Sequence, residues 1–258
     1  MGGPAATSPG VMIRTEAIIP PVDLQAVFFD AGETLLYPHP SFAELFAEVL
    51  RDRGHRVDPA RVHEVVSASS GRFNEILSSE EARLWSTSPE RSRSLWDGIY
   101  RSFLTDLGVD DGGDELAEAL HTRFTDLASY RLHPDALPTL ERLRTTDLTL
   151  GLISNFEEWL ERLLDVLEVA HFFDVTVISG VEGVEKPDAG IFRLALERAG
   201  VAADRSVYVG DNPRFDIEAA RAVGMVPVLI DRRGRHEETD AIRITSLEDL
   251  PRALGVAA

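Results

Sequence analysis

The chain has 258 residues, a formal net charge of -18, a hydrophobic fraction of 44% and no cysteine. This composition is typical of a globular protein with one large domain or a core domain that carries an insertion. No apolar run is long enough to span a membrane, so no membrane partner is expected. The acidic balance argues against nucleic acid as a partner, and the lack of cysteine excludes disulfides and thiolate catalysis and fits a cytoplasmic protein.

Residues 1–20 are rich in Gly, Pro, Ala and Ser and contain no apolar run like that of a signal peptide. They predict a flexible N-terminal tail. Ala6 stands where N-myristoylation would need Ser or Thr, so Gly2 is not a credible lipid site.

After the tail, short β-branched or aromatic runs alternate with helical apolar spacing, a pattern typical of an α/β fold with a doubly wound parallel sheet. We expect buried strands at Ala26–Phe29, Leu148–Ser154, Val175–Ser179, Ser206–Val209, Val226–Ile230 and Ala241–Ile244. Helices are expected to begin near Asp135, Glu157, Asp188 and Pro213. Ligands of such sheets bind beyond the carboxyl ends of the strands, so a site is expected in the residues that follow them.

One long helical stretch interrupts this alternation and predicts an all-helical cap at residues 38–133, inserted into a core of residues 21–37 and 134–258. Helical spacing without any good strand is found in Phe42–Arg51, Pro59–Ile76, Pro89–Leu107 and Asp114–Tyr130. Prolines at both junctions, Pro38, Pro40 and Pro134, predict stiff connections at a domain hinge.

Four short polar segments follow predicted strands: Asp30-Ala31-Gly32-Glu33-Thr34, Ser154-Asn155, Glu185-Lys186-Pro187-Asp188 and Gly210-Asp211-Asn212-Pro213-Arg214-Phe215-Asp216. Lys and Arg together number 26, and Lys186 is the single lysine among them. A lone lysine suggests a position that needs a compact ammonium rather than a planar guanidinium. Gly210 would allow a close approach to the backbone. Each segment taken alone is also compatible with an ordinary loop.

In this order, the four segments resemble the motifs of the haloacid dehalogenase superfamily, whose members are mostly aspartate-dependent phosphatases. The resemblance extends from about Gln25 to Val256. It implies that Asp30 attacks phosphorus and forms an aspartyl phosphate, which water then hydrolyses. It also implies a Mg²⁺ cofactor, held by Asp30, the carbonyl of Gly32, Asp211 and Asp216.

The resemblance assigns the phosphoryl group to a second set of residues. Thr34 and Ser154 would donate hydrogen bonds to its oxygens, while Lys186 would balance the charge of nucleophile and phosphate. Asn155 would join them in substrate binding, mainly from a supporting position. A small phosphorylated metabolite is the expected substrate, because a capped crevice excludes large ones.

The chain departs from the phosphatase pattern at Gly32, where family phosphatases usually carry a second aspartate that protonates the leaving group and later activates water. A positioned acid or base is worth about 10² to 10⁴ in rate, so its loss predicts a slow enzyme unless another group substitutes. Glu33 is the nearest candidate for this catalytic role, while Tyr37 and His39 are poorer ones.

Gly32 also raises alternatives. Phosphonoacetaldehyde hydrolases lack the second aspartate but need a lysine in the cap, and the predicted cap contains none. Hydrolytic 2-haloacid dehalogenases share Asp30-Ala31 and Thr34 but have no use for Asp211, which makes them the weaker alternative. A further interpretation is that the protein binds a phosphorylated ligand or a protein partner and has little catalytic activity. Such a protein would be expected to lose some of the catalytic residues.

The cap is expected to set substrate choice, yet its sequence singles out no substrate. Five cap arginines are expected to face solvent: Arg51, Arg53, Arg56, Arg72 and Arg83. The three tryptophans, Trp85, Trp96 and Trp159, are expected to be packing anchors rather than stacking platforms for a ligand. No oligomeric state is indicated.

Overall fold

The computed structural model describes residues 23–69, 76, 77, 79, 82–110, 112, 114–236 and 239–256, so the predicted tail and Arg72 lie outside the described residues. The strands are β1 (Ala26–Phe29), β2 (Leu36–Pro38), β3 (Tyr130–Leu132), β4 (Thr149–Ser154), β5 (Val175–Ile178), β6 (Ser206–Gly210), β7 (Val226–Ile230) and β8 (Ile242–Ile244). Six of them form a parallel sheet in the order β5-β4-β1-β6-β7-β8, while β2 and β3 form a separate antiparallel pair.

The helices are α1 (Phe42–Asp52), α2 (Pro59–Ala68), α3 (Pro89–Leu107), α4 (Glu115–Phe124), α5 (Ala136–Leu143), α6 (Leu160–Val166), α7 (Ser179–Glu182), α8 (Ala189–Ala199), α9 (Ala219–Ala222) and α10 (Leu250–Ala253). A π-helical turn at Pro213–Glu218 leads directly into α9. Within the described part of the chain, no helix is both long and apolar enough to cross a membrane.

The α/β core surrounds β1, whose side chains alternate between the two faces of the sheet. Ala26 and Phe28 belong to the apolar cluster on one face, and Val27 and Phe29 belong to the cluster on the other. All four are fully buried, as expected for a parallel sheet covered by helices on both sides. The predicted doubly wound α/β fold is therefore confirmed.

The helices α1 to α4 form a second unit with its own apolar cluster, which includes Phe46, Leu50, Tyr100 and Leu120. Ser88 caps α3, since its side chain accepts a hydrogen bond from the Arg91 backbone nitrogen, and Pro89 fits the first turn because its missing N–H has no helical acceptor there. This unit is inserted between β2 and β3.

The junction between core and cap differs from the prediction, which placed no strand between residues 38 and 133. The helix expected to reach Tyr130 ends at Phe124, and Tyr130–Leu132 pairs with Leu36–Pro38, with Leu36 opposite Leu132. Strands of three residues are too short to produce a recognisable alternation, which explains why the sequence pattern missed them. Other boundaries shift by a few residues; for example, Ser179 begins α7 instead of ending a strand.

The topology places a crevice at the carboxyl end of β1. This strand pairs with β4 on one side and with β6 on the other, so the chain changes direction across it. Ligand sites of open α/β sheets form at such switch points. Asp30 directly follows β1, and its backbone nitrogen donates to the Val209 carbonyl at 2.9 Å, which holds the first polar segment against β6.

Candidate active site

The ammonium of Lys186 lies at the centre of the crevice between two carboxylates. Its Nζ donates to Asp216 Oδ1 at 2.6 Å, to Asp30 Oδ1 at 2.7 Å and to the Tyr208 hydroxyl at 2.9 Å. Burial by itself would lower the pKa of Lys186, but Asp216 and Asp30 outweigh this effect and raise that pKa above its usual range. The single lysine of the chain is therefore a buried, charged partner of both carboxylates.

Asn155 holds the backbone of Lys186 from the end of β4. Its Oδ1 accepts a hydrogen bond from the Lys186 nitrogen at 2.7 Å, and its Nδ2 donates to the Lys186 carbonyl at 2.8 Å. The Asp188 side chain then caps α8 by accepting from Gly190, which fixes the other side of the segment. Asn155 thus positions the lysine, while its direct contact with substrate stays a prediction.

Ser154 and Thr34 lie where the first and second polar segments meet. Ser154 Oγ donates to Asp30 Oδ1 at 3.1 Å, so this hydroxyl already faces the predicted nucleophile. Thr34 is fully buried, and its Oγ1 has no hydrogen-bond partner among the described residues. A buried hydroxyl without a hydrogen-bond partner is energetically costly, so the Thr34 hydroxyl is free to donate a hydrogen bond to an oxygen of a bound ligand.

The loop that carries Thr34 is held by Arg232, a residue that the sequence analysis missed. Its guanidinium donates to the Thr34 carbonyl at 2.7 Å, to the Glu33 carbonyl at 3.3 Å and to both carboxylate oxygens of Asp135 at 2.7 and 2.9 Å. Its two contacts with Asp135 fix the orientation of the guanidinium plane. Arg232 is one arginine among many in the sequence, so no local pattern distinguishes it.

Three carboxylates converge beside Lys186, from Asp30, Asp211 and Asp216, with one ligand atom of each within 4.8 Å of the others. Burial raises the pKa of Asp211 well above its ordinary value, and the charges of Asp216 and Asp30 add to the rise. Burial also raises the pKa of Asp30, against the opposing effect of Lys186. One ammonium does not balance three carboxylates, and an all-oxygen donor set suits a hard divalent cation such as Mg²⁺.

Gly210 permits this convergence. A Cβ atom at position 210 would overlap the side chain of Asp216, so any larger residue would displace that carboxylate. The Asn212 backbone nitrogen donates to Asp216 Oδ2 at 2.9 Å, which fixes the carboxylate from the other side. The expected close approach at Gly210 is confirmed, and the approaching group is a carboxylate of the site itself.

Glu33 and Gly32 lie on the wall of the crevice. Glu33 has a left-handed backbone with a φ of 56°, and its Oε2 lies 3.1 Å from the Arg233 guanidinium. A Cβ atom built on Gly32 would have no other atom within 4 Å, so the position has room for a side chain. The structure therefore places a carboxylate next to the expected acid position but not at it.

A cavity of about 310 Å³ extends from Asp30 and Lys186 to the cap. Its wall includes nine aromatic residues: Phe42, Trp85, Trp96, Tyr100, Phe124, Tyr130, Phe156, Trp159 and Phe215. The three tryptophans do pack against aromatic neighbours, such as Trp159 on Phe156 at 4.7 Å between ring centroids. All three also face the cavity, which the sequence analysis did not expect. The exposed cap arginines Arg51, Arg53, Arg56 and Arg83 are not part of its wall.

The sequence analysis missed Tyr208 altogether, and it named Glu185 in the third polar segment without predicting its contact with the cap. Tyr208 is a fully buried tyrosine of β6 whose hydroxyl lies 3.0 Å from the Ile153 carbonyl and 3.1 Å from Asp216 Oδ1. Its signal in the sequence was a tyrosine between the two valines of this buried strand. Glu185 precedes Lys186, and its carboxylate binds the cap, which no spacing rule predicts.

Comparison with known proteins places this geometry in a recognisable group. Residues 24–224 match the family model of the haloacid dehalogenase-like hydrolases. The chain is 34% identical over 176 residues to a phosphoserine phosphatase of Thermus thermophilus, covering 64% of this chain and 70% of that protein. It is 33% identical over 227 residues to a glyceraldehyde 3-phosphate phosphatase of Methanopyrus kandleri, covering 84% and 88%.

A solved structure extends the likeness to three dimensions. A 2-haloacid dehalogenase of Pseudomonas syringae has a TM-score of 0.56 and 27% identity to this chain, and the match covers 90% of this chain and 98% of that one. Proteins with phosphatase and dehalogenase names therefore share this scaffold, so the residues of the site decide which chemistry fits.

Proposed function

The chain belongs to the haloacid dehalogenase-like hydrolases and is a hydrolase of the phosphatase type, and from this premise we propose that it cleaves small phosphomonoesters in a Mg²⁺-dependent reaction with Asp30 as nucleophile. One observation carries the proposal: Asp30, Asp211 and Asp216 each place a carboxylate oxygen within 4.8 Å of the others, and the buried lysine pairs with the first and the third of them. The relatives named for phosphoserine and glyceraldehyde 3-phosphate support the same substrate class, and the cytoplasm stays its predicted location.

The first half of the proposed reaction transfers the phosphoryl group to Asp30. Lys186 and Ser154 both donate to Oδ1 of this residue, which orients the carboxylate and leaves Oδ2 as the attacking atom. A bond forms between Oδ2 and phosphorus while the ester bond breaks, and the departing oxygen takes the bonding electrons. Thr34 donates to a phosphoryl oxygen in this step, as a preorganised dipole at the site of developing charge. Ser154 does the same once its single hydroxyl proton turns from Asp30 to the substrate, and Lys186 then keeps Oδ1 oriented.

The carboxylates of Asp30, Asp211 and Asp216, with the Gly32 carbonyl, would hold the Mg²⁺ ion. When bound, Mg²⁺ neutralises negative charge on the phosphoryl group, which would otherwise repel the carboxylate that attacks it. Lys186 supplies the remaining positive charge from within the protein. Asp216 is already oriented by Tyr208 and Asn212, so the site is preformed on its buried side.

Glu33 is proposed as the acid–base group of the second half. A water molecule attacks phosphorus, the bond to Asp30 breaks, and a proton of the water passes to a carboxylate. Glu33 lies on the cavity wall, and its Oε2 is 3.1 Å from the Arg233 guanidinium. Glu157 also lines the cavity, but its Oε1 already accepts from Ser92 of the cap at 2.8 Å.

The test is phosphate release from a panel of alkyl and aryl phosphomonoesters, with Mg²⁺ and with EDTA. The native chain is compared with Asp30→Asn, Glu33→Gln and the control Asp165→Asn, which changes an exposed aspartate of α6. We expect release that needs Mg²⁺, disappears in Asp30→Asn, falls in Glu33→Gln and persists in the control. Release that survives Asp30→Asn or EDTA would contradict the proposal.

Two other outcomes identify the alternatives. Mg²⁺ binding without release of phosphate from any ester would identify a binding protein, for which Gly32 is the supporting observation. Chloride release from 2-haloacids in EDTA would identify a dehalogenase, as the name of the Pseudomonas syringae structure suggests.

A further inference from the structure

The cavity next to the nucleophile has an aromatic wall that joins both units of the fold. Phe156 and Trp159 approach from the core, and Trp85, Trp96 and Phe124 approach from the cap. Several of these rings contact each other, with centroid distances of 6.1 Å between Trp85 and Trp96 and 4.7 Å between Phe156 and Trp159. An aromatic ring system on the substrate is therefore the group that would gain most from burial in this cavity.

The charges of the wall exclude an acidic group on the substrate. Among the described residues that line the cavity, Lys186 is the only lysine or arginine, and it is held by Asp30 and Asp216. Glu33 and Glu157 add negative charge to the same wall. His121 also lines the cavity, but burial and the charge of Arg93 lower its pKa, so its imidazole adds no fixed positive charge at neutral pH. A carboxylate or a second phosphate on the substrate would therefore enter a largely apolar space without a permanent cation to pair with, which is strongly unfavourable.

The catalytic end of the cavity favours the same class of substrate. Position 32 carries no carboxylate to protonate the departing oxygen. A phenol has a pKa of about 10, so a phenolate leaves with much less proton donation than the alkoxide of an aliphatic alcohol. An aryl ester would therefore suffer least from the glycine at this position.

Building on the phosphatase function proposed above, we propose that the substrate is an aryl phosphomonoester whose ring system carries no negative charge. Asp30 attacks phosphorus, the bond between phosphorus and the phenolic oxygen breaks, and the phenolate leaves with the electron pair and takes a proton from water. Hydrolysis of the aspartyl phosphate then releases inorganic phosphate. The ring lies against the aromatic wall while Asp30 attacks phosphorus.

Binding tests this inference independently of turnover. Benzylphosphonate has the shape of phenyl phosphate but a carbon in place of the ester oxygen, and methylphosphonate lacks the ring. In calorimetric titrations with Mg²⁺ present, burial of the ring is expected to tighten binding by about tenfold to a hundredfold. Equal affinities for the two phosphonates would overturn the inference even if the chain hydrolyses phosphate esters.

Two matched variants locate the ring. Phe124 and Phe103 are both buried in the apolar cluster of the cap, but only Phe124 lines the cavity in the described structure. Phe124→Leu is expected to remove most of the preference for benzylphosphonate, whereas Phe103→Leu keeps it at a comparable cost in stability. Loss of the preference in both variants, or in neither, would contradict the aromatic wall as the binding surface.

Measurements of turnover test whether the site excludes a negative charge on the ring of the substrate. Phenyl phosphate is compared with 4-carboxyphenyl phosphate, whose phenolate is the better leaving group, so leaving-group chemistry alone favours the charged compound. We expect kcat/KM for phenyl phosphate to be higher by about tenfold or more, because the carboxylate has no cation to pair with. An equal or higher value for 4-carboxyphenyl phosphate would overturn the inference. If no ester is hydrolysed, the proposed function fails, and the phosphonate titrations still decide whether the cavity binds an uncharged ring.

Discussion

The carboxylate of Glu185 accepts two hydrogen bonds from Ser86, one from the backbone nitrogen at 3.0 Å and one from Oγ at 2.6 Å. The Leu84 backbone nitrogen adds a third at 2.6 Å. Ser86 belongs to the cap segment that leads into α3, and Glu185 directly precedes Lys186. The cap is thus docked on the residue next to Lys186, and Trp85, between the two donors, lies on the cavity wall.

Glu185→Gln is expected to loosen this docking. The amide would present a donor where the carboxylate accepts, so at least one cap donor would lose its acceptor at a cost of about 1–3 kcal/mol in the free energy of unfolding. We also expect a raised KM, because Trp85 would be less well held. Urea unfolding and steady-state kinetics check both effects, with the exposed Glu158→Gln as the control. Equal stability of the two variants would show that the docking contributes nothing.

Gly32→Asp is expected to raise kcat toward alkyl phosphates, because the side chain would supply a proton donor at the position where family phosphatases carry their second aspartate. The position has open space around a Cβ atom. A positioned acid contributes about 10² to 10⁴ in rate, and the gain should be smaller for aryl phosphates, which need less proton donation. Gly98→Asp, also in open space but on the exposed side of α3, is the control. An unchanged kcat would mean that another group already fills the role.

Asn155→Ala is expected to lower kcat more than it changes KM. Without its two hydrogen bonds, the Lys186 backbone can shift, and displacement of a catalytic group by about 1 Å can cost roughly 10²-fold in rate. Single-turnover and steady-state kinetics separate this effect from substrate binding. Thr145→Ala, which removes an exposed hydroxyl before β4, is the control. A raised KM with unchanged kcat would instead indicate that Asn155 binds the substrate directly.

The stability of the protein is expected to depend on His133 at mildly acidic pH. Burial lowers the pKa of His133 from 6.5 to about 4, and Arg232 adds to this effect, while Asp135 opposes it. Between these two values the unfolded chain binds more protons than the native one, so stability falls as the pH falls through this range. The pKa of Asp135 is itself lowered, so its stabilising charge is lost only below its ordinary value of 3.8.

His133→Gln should therefore unfold with a weaker pH dependence than the native chain. Allowing for partial exposure, we expect the difference between pH about 7 and about 4.5 to be roughly 1–2 kcal/mol. Urea unfolding at the two pH values measures it. The exposed His63→Gln is the control and should behave as the native chain does. An identical pH dependence in His133→Gln would rule out His133 as the cause.

Mg²⁺ is expected to stabilise the native chain, because the ion would bind a cluster of carboxylates that repel each other in its absence. At a concentration of a hundred times Kd, a ligand stabilises by about 2.7 kcal/mol. Asp211→Asn should lose most of this effect while gaining stability in EDTA, since it removes one of the three neighbouring charges. Thermal unfolding with Mg²⁺ and with EDTA tests both halves, and a variant that still responds fully to Mg²⁺ would place the ion elsewhere.

The sequence by itself determined the α/β core, the helical insertion and the order of the four polar segments. Each follows from local patterns: buried strands form continuous apolar runs, amphipathic helices repeat every three to four residues, and chemistry-bearing side chains follow strand ends. The lone Lys186 and the spacing of Asp211 and Asp216 are visible in the same way. These features depend on residues close together in the chain.

Tertiary structure alone decided the contacts between segments far apart in the chain. Arg232 donates hydrogen bonds to Asp135 and to the Thr34 carbonyl. Glu185 binds Ser86, which is 99 positions away in the sequence. The three-residue strands β2 and β3, where the cap joins the core, form only because they pair with each other. Likewise, an aromatic residue on the apolar side of an amphipathic helix is predicted to belong to the core. Only the packing of the cap over the sheet decides whether its ring also faces a cavity, because helical periodicity shows which side of a helix is apolar but not what that side contacts.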